Sequence, residues 1–301
     1  MIILIEYNHY KKNLLEREMM KRYILPLAVL VSGANALDLR YGQGDFEWSA
    51  NFAGVMDSTI TLDDKVVSIS EQHQNFANSS WYYFGNIDIH SSDTLDQVTD
   101  IADGIVDLLP FAPDSIVPFP SSFEVSGVDF DIGIGYDIIQ DERGYLGVGV
   151  MTGISTPFME MHNYIDAIDF IDTILEETST DVKTYKFGIS LQGAYSITPN
   201  LSMYGTTIYA TQTGEMSNDL IDGDFDVSGT YSSFDIGLKY YPSEVMPDQA
   251  NFYIKGGYAY KHWDIDDIEM SIGGVILPDM MSLITTEMTS DFVYVGVGFS
   301  F

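Results

Sequence analysis

Beyond the first 36 residues the sequence holds four histidines, His73, His90, His162 and His262. None has the H-x₃-H or H-E-x-x-H spacing that puts two imidazoles on one helical face around zinc. There is no cysteine, and so no thiolate metal site and no disulfide framework. One run has the carboxylate spacing of a calcium loop, Asp222-Gly-Asp224-Phe-Asp226. Calcium takes oxygen ligands from closely spaced carboxylates. With Asp222 as position 1, position 12 is Ser233 rather than the bidentate Glu that closes an EF-hand loop. The run therefore reads first as a solvated acidic loop and only second as a calcium site. No cluster calls for a cofactor or names a reaction.

The other charges that could act together are set in strict alternation with apolar residues. Val128, Phe130, Ile132, Ile134, Tyr136 and Ile138 alternate with Asp129, Asp131, Gly133, Gly135 and Asp137. Tyr185, Phe187, Ile189 and Leu191 alternate with Lys186, Gly188, Ser190 and Gln192. Phe234, Ile236 and Leu238 alternate with Asp235, Gly237 and Lys239, and Phe252, Ile254, Tyr258 and Tyr260 with Lys255, Gly257 and Lys261. Phe46, Trp48, Ala50 and Phe52 alternate with Glu47, Ser49 and Asn51. Period 2 is the signature of strands. In each segment one face is apolar while the other carries charge and glycine, which no aqueous core would hold inside. The apolar faces are therefore expected to meet lipid. Glu47, Asp129, Asp131, Asp137, Lys186, Asp235, Lys239, Lys255 and Lys261 would then point into a lumen, where buried charges must pair or stay wet. Such a set either closes into an ionic network or lines a narrow, cation-favouring channel.

The last ten residues carry the same pattern most cleanly. Val293, Val295, Val297, Phe299 and Phe301 share one face, and Phe292, Tyr294, Gly296, Gly298 and Ser300 the other. Mean hydropathy is only +0.03, and there is no apolar run of about 18 residues, the length that spans a bilayer as a helix. Alternating strands of a membrane barrel average out in this way.

At the N-terminus Lys21-Arg22, the apolar stretch 23–31 and Ala34-Asn35-Ala36 have the order of a secretory signal with an A-x-A cleavage site. Residues 1–36 are expected to be removed and residues 37–301 to form one barrel domain. The leader before Lys21 is long, and translation from Met19 or Met20 would also fit. Residues 37–301 keep eight of the 13 basic residues and 42 of the 45 acidic ones. That balance argues against nucleic acid, which needs a basic footprint, and suits a surface bathed in cations.

Short turns at 140–144, 198–200 and 242–251 alternate with long segments at 91–122, 157–181, 214–226 and 266–290, as tight periplasmic turns and long external loops do in membrane barrels. Residues 95–109 and 165–175 have helical periodicity and are expected to form short helices in those loops. Nine strands are clear. A tenth in 59–70 would satisfy the even number that two periplasmic termini require, with eight to twelve as the bounds.

In its signal peptide, alternating strands and terminal strand ending in Phe301, the sequence resembles the outer-membrane β-barrel proteins of Gram-negative bacteria. Barrels of the OmpA, OmpX and OmpW type are nearest in size and layout. No peptidoglycan-binding segment follows the last strand, so the OmpA likeness stops at the barrel. The resemblance implies an all-β transmembrane antiparallel barrel of about ten strands, monomeric and located in the outer membrane. Its partners would be membrane lipid and lipopolysaccharide, with divalent cations at the acidic loops. The terminal strand would serve as the signal read by the barrel-assembly machinery. The expected function is non-enzymatic, in a structural, surface-interaction or narrow passive-channel role. A cation-selective or small-solute pore is one alternative. A lipid-modifying enzyme using His262 or His90 is the other.

Overall fold

The computed structural model describes residues 36–52, 56–75, 79–93, 95–99, 119–163, 180–218, 221–242, 251–272, 275–276 and 284–300. Ten long strands make the wall: β1 (Ala36–Phe52), β2 (Met56–Asn75), β3 (Trp81–Ser92), β5 (Phe119–Gln140), β6 (Gly144–Asn163), β7 (Thr180–Thr198), β8 (Leu201–Asn218), β9 (Ile221–Tyr240), β10 (Asn251–Ile272) and β12 (Ile284–Ser300). Two short strands, β4 (Leu95–Thr99) and β11 (Val275–Ile276), extend the upper rim on β5 and β10. Successive long strands pair antiparallel, and β12 closes on β1 from Ala36↔Ser300 to Phe52↔Ile284 without a register shift. In hydrocarbon an open edge would leave backbone donors and acceptors unmet, so closure is what lets a sheet cross a membrane. Among the described residues no helix is long and apolar enough to do so.

The tenth strand expected in 59–70 is β2. Hydroxyl and charged residues obscured it: its outward face reads Thr59, Thr61, Asp63 and Lys65 before Val67 and Ile69.

That face exposes the second feature of the wall. A strand rises about 3.3 Å per residue and needs only about 9–11 residues to cross a bilayer when tilted. The long strands run from 12 to 22 residues. On β1 the outward residues are Leu39 and Tyr41, then Gln43, Asp45 and Glu47. On β12 they are Glu287, Thr289 and Asp291, then Val293, Val295, Val297 and Phe299. The change falls at the row where Gln43 pairs with Val293. Below it, toward the short turns and both strand ends Ala36 and Ser300, the wall presents apolar side chains to lipid. Phe187, Ile189, Val293 and Val295 are each more than 60% exposed. Above it the barrel stands in water.

The interior inverts at the same height. Beneath the row the inward residues of β1 are Asp38 and Arg40. Above it they are Phe46 and Trp48, which are buried and join Leu62, Phe123, Val125, Val182, Phe225, Val227, Ile265 and Met288 in an apolar core. The lower half is polar inside and apolar outside, and the upper half is the reverse.

This corrects several expectations. Glu47 is exposed on the outer surface rather than in the lumen, and Phe46 and Trp48 face inward. Trp263 is also inside, and Trp81 alone of the three tryptophans stands on the outer face, 50% exposed. The physical reason is common to all: period 2 separates two faces, but the solvent outside decides which is turned in, and above the bilayer that solvent is water. The expected loops are also shorter, because strands continue into them. Residues 95–99 are β4, a strand rather than the start of a helix. Residues 165–175, Ala34 and Phe301 lie outside the described residues, and Ala36 is the first residue of β1.

Burial of a Phe side chain is worth about 1.5–3 kcal/mol, and truncating it in a packed core costs about 3–5 kcal/mol. Phe46→Ala should therefore lower the free energy of unfolding by about that amount, whereas Glu47→Ala should leave the urea midpoint in liposomes unchanged. The reverse order would restore the expected outward orientation of Phe46.

Candidate functional site

The ionic layer of the lower lumen is centred on Asp129 of β5. Its carboxylate accepts from the ammonium groups of Lys186 and Lys261, from Ser155 Oγ, and from Tyr231 Oη at 3.0 Å. Trp263 Nε1 donates in turn to Ser155 Oγ at 2.9 Å. Lys186 also bonds Asp131 at 2.6 Å and lies 3.9 Å from the Tyr231 ring centroid. Lys261 reaches Asp88 of β3 at 2.5 Å. Asp88 links this group to Arg40 of β1, whose guanidinium lies 3.4 Å from it, 2.5 Å from Asp235 and 2.7 Å from Asn86 Oδ1. Tyr294 donates to Asp235 and is hydrogen-bonded to Tyr204. Nearer the short turns, Lys255 and Tyr253 both bond Asp38, and Lys239 lies over the rings of Tyr204 and Tyr253 at 5.1 and 4.8 Å.

Asp38, Asp88, Asp129, Asp131 and Asp235 thus face Arg40, Lys186, Lys239, Lys255 and Lys261, while the buried Glu71 lines the same space and accepts from Tyr83 Oη at 2.7 Å. Every long strand contributes a member, β2 through the buried Ser70, whose Oγ donates to Asp38 at 3.4 Å. β2 also enters just above, where Asp64 Oδ2 lies 2.8 Å from His90 Nδ1 and accepts from Ser290 Oγ at 2.8 Å. His90 in turn makes edge contacts with Phe46, Trp263 and Phe292, so it joins the ionic layer to the apolar core.

The glycines opposite the apolar faces serve this packing. A Cβ on Gly135 would lie 2.3 Å from Tyr82 Cζ, and one on Gly298 would lie 2.3 Å from Tyr253 Cζ. The lumen rings lie flat on bare backbone of neighbouring strands. As a result the interior is filled. The cavity bounded by Arg40, Asp88, Asp131, Asp235 and Lys261 has a volume of about 70 Å³, and the next, beside His90 and Trp263, about 10 Å³. A water molecule needs roughly 10–15 Å³ of such space, so the first has room for a few waters.

Of the charges expected in the lumen, Asp129, Asp131, Lys186, Asp235, Lys239, Lys255 and Lys261 stand in this layer. Asp137 is buried near the short-turn end beside Gly147. Glu47 is outside. Sequence reasoning missed Asp38, Arg40 and Asp88, together with the tyrosines that bind the carboxylates. Asp38 and Arg40 alternate with Leu37, Leu39 and Tyr41, so the signal was present directly after the expected cleavage site. Asp88 alternates with Ile87 and Ile89 in the same way.

The two histidines considered for catalysis stand in different settings. Asp64 takes both His90 and Ser290, so the serine is not on the imidazole, as nucleophile activation requires, and the group sits beneath the apolar core. His262 faces outward with Nδ1 3.2 Å from Thr289 Oγ1 and its ring stacked on Tyr260. His73 and His162 are residues of β2 and β6. Asp222, Asp224 and Asp226 are not in a loop. They take alternate positions of β9. Among the described residues no three carboxylates or histidines converge on a metal position.

Outside, above the lipid band, carboxylates dominate. Asp63, Asp45 and Asp291 stand side by side in one row across β2, β1 and β12, and Asp264 lies directly opposite Glu287. Like charges so placed repel, so this collar is held by the wall beneath it and screened by solution cations.

The closed ten-strand wall with its lipid-facing band decides the class. The chain is a transmembrane β-barrel of the outer-membrane type. No protein-family model and no curated protein matches its sequence. Among solved structures it is similar to the outer membrane protease OmpT from Escherichia coli, at 11% identity and a TM-score of 0.49 over 88% of this chain and 96% of that one. It is also similar to the P. putida toluene transporter TodX, at 10% identity and a TM-score of 0.32 over 88% and 90% of the two chains. A third is AlkL in lipid bilayers, at 16% identity and 0.33 over 87% and 92%. At these values no residue role transfers from them to this barrel.

Removing one partner from a buried charge network typically costs about 3–5 kcal/mol, because the other charge is left unpaired. Asp129→Asn removes the carboxylate that Lys186 and Lys261 share, leaving them Asp131 and Asp88, and should lower unfolding free energy in liposomes by up to about that amount. Asp226→Asn, on the exposed face, should leave it unaltered. Equal small effects would mean that water, not Asp129, balances Lys186 and Lys261.

Proposed function

We propose that this barrel resides in the outer membrane as a closed, non-enzymatic scaffold that holds a rigid acidic surface above the bilayer. The observation that carries the reading is the packed lumen: a paired ionic layer beneath an apolar core, with a cavity of about 70 Å³ between Arg40, Asp88, Asp131 and Lys261. A pore of either expected kind would need a wetted path past Asp129 and Phe46. A lipid-modifying enzyme would need an activated nucleophile at the lipid edge, whereas the hydroxyl beside His262, Thr289 Oγ1 at 3.2 Å, stands above the lipid band.

In this reading residues 1–36 direct export and are cleaved after Ala36. The assembly machinery reads the terminal strand through its lipid-facing residues Val293, Val295, Val297 and Phe299, with Phe301. The collar recruits divalent cations between itself and the anionic lipopolysaccharide around it, and the barrel acts as a monomer. None of these roles needs a cofactor.

Planar-bilayer recording tests the central part. Folded protein should insert, as judged by heat-modifiable gel mobility, yet give no discrete current steps in potassium chloride. Steps that vanish on neutralising Lys186 and Asp129 would instead establish a channel.

A further inference from the structure

The outer wall carries a groove near the short-turn end whose floor no side chain fills. Gly193 of β7 and Gly205 of β8 stand directly opposite each other on the lipid-facing side. Leu146 and Ile236 flank them in the same row. Two adjacent positions in that row therefore lack side chains, and with strands about 4.8 Å apart the trough is roughly 10 Å wide. Its volume is about 310 Å³, with Ile139, Met203 and Tyr195 toward the short-turn end. The lumen glycines are bare because a neighbouring ring fills the space. Gly205 is not: a Cβ there would meet nothing closer than the Asp235 carbonyl oxygen at 3.6 Å, an ordinary contact. The wall would accept a side chain and has none.

The mouth of the trough has a definite charge pattern. In the turn between β5 and β6, Asp141 Oδ1 accepts the backbone N–H groups of Arg143 at 2.8 Å and Gly144 at 2.9 Å, which fixes the turn. The exposed Arg143 guanidinium reaches toward Tyr195 Oη at 3.5 Å. Residues 37–301 hold eight basic side chains. Five are in the lumen layer, and Lys65 and Lys183 lie at the far side of the lipid band. Arg143 is the one basic side chain at this end, and Asp141 and Glu142 stand beside it.

We infer that this groove seats one glycerophospholipid of the leaflet at the short-turn end, and that the headgroup it fits is zwitterionic with a primary ammonium. An acyl chain lies in the trough over Gly193 and Gly205. The phosphate meets Arg143 as a charge-assisted partner, and the ammonium meets Asp141 and Glu142. A purely anionic headgroup would satisfy the guanidinium but face two carboxylates. The inference rests on the apolar band and the turn, not on the sealed lumen, so the conductance experiment does not bear on it.

Native mass spectrometry of the full-length folded protein tests it, with equimolar diacyl phosphatidylethanolamine, phosphatidylglycerol and phosphatidylcholine as probes. The wild type should retain one phosphatidylethanolamine in preference to the other two. Gly205→Leu, which fills the trough, and Arg143→Gln, which removes the phosphate partner, should each reduce retention at least fivefold with heat-modifiable mobility intact. If Gly205→Leu fails to fold, Arg143→Gln on the exposed turn carries the test. Equal retention by wild type and Arg143→Gln would overturn the proposal. So would phosphatidylglycerol held as tightly as phosphatidylethanolamine, or a lipid-free dimer that Gly205→Leu dissociates.

Discussion

Carboxylates and cations lie inside a wall that hydrocarbon surrounds, and their pairing is the condition on which the rest of the barrel depends. A charge removed from water is tolerated only when paired and hydrogen-bonded. Asp129 meets that condition from four sides, using Lys186, Lys261, Ser155 and Tyr231. Because these residues come from different strands, the layer also fixes how those strands sit against one another. Arg40 and Asp88 extend the constraint to β1 and β3. Buried pairing is not by itself a large gain in stability. Its effect here is specificity: a strand slipped by one residue would turn its inward charges into lipid.

The second constraint is the change of solvent along the barrel axis. Where lipid surrounds the wall, apolar residues face out and charge must go in. Where water surrounds it, the ordinary arrangement returns, with Phe46, Trp48 and Trp263 in a core. The two halves share the same strands, so the switch is written within single segments, such as Leu39 to Glu47 on β1 and Glu287 to Phe299 on β12. The apolar core then caps the ionic layer. His90 touches both, through Asp64 on one side and aromatic rings on the other. The proposed closure of the lumen rests on this stacking as well as on strand number.

Much of this was legible in the sequence where one environment holds over a whole segment. The runs Val128–Ile138, Tyr185–Leu191 and Val293–Phe299 lie within the lipid band, so alternation gave both the strand and the direction of each side chain. The Phe46–Phe52 segment shows the limit. Its alternation is equally clean, yet its faces are reversed, because the sequence marks two faces without marking where the bilayer ends. Asp38 and Arg40 were hidden for a different reason: they stand before the first segment that looked like a strand. The pairing itself had no local signal. Asp38 and Lys255 are 217 positions apart, and only the closure of β12 on β1 brings their strands into the same lumen. The outward Gly205 reads in sequence like any lumen glycine, and its lipid-side opening emerges only from the register with Gly193.

The inversion at the Gln43 row is the central claim, and the absence of cysteine makes it directly measurable. Single cysteines placed along β1, one variant each at Leu39, Tyr41, Asp45, Phe46, Glu47 and Trp48, can be exposed in intact liposomes to a membrane-impermeant maleimide. A lipid-soluble maleimide serves as the comparison. The account predicts that positions 45 and 47 react with the aqueous reagent and 46 and 48 with neither, while 39 and 41 react only with the lipid-soluble one. Aqueous labelling at 46 and 48 with protection at 45 and 47 would contradict it.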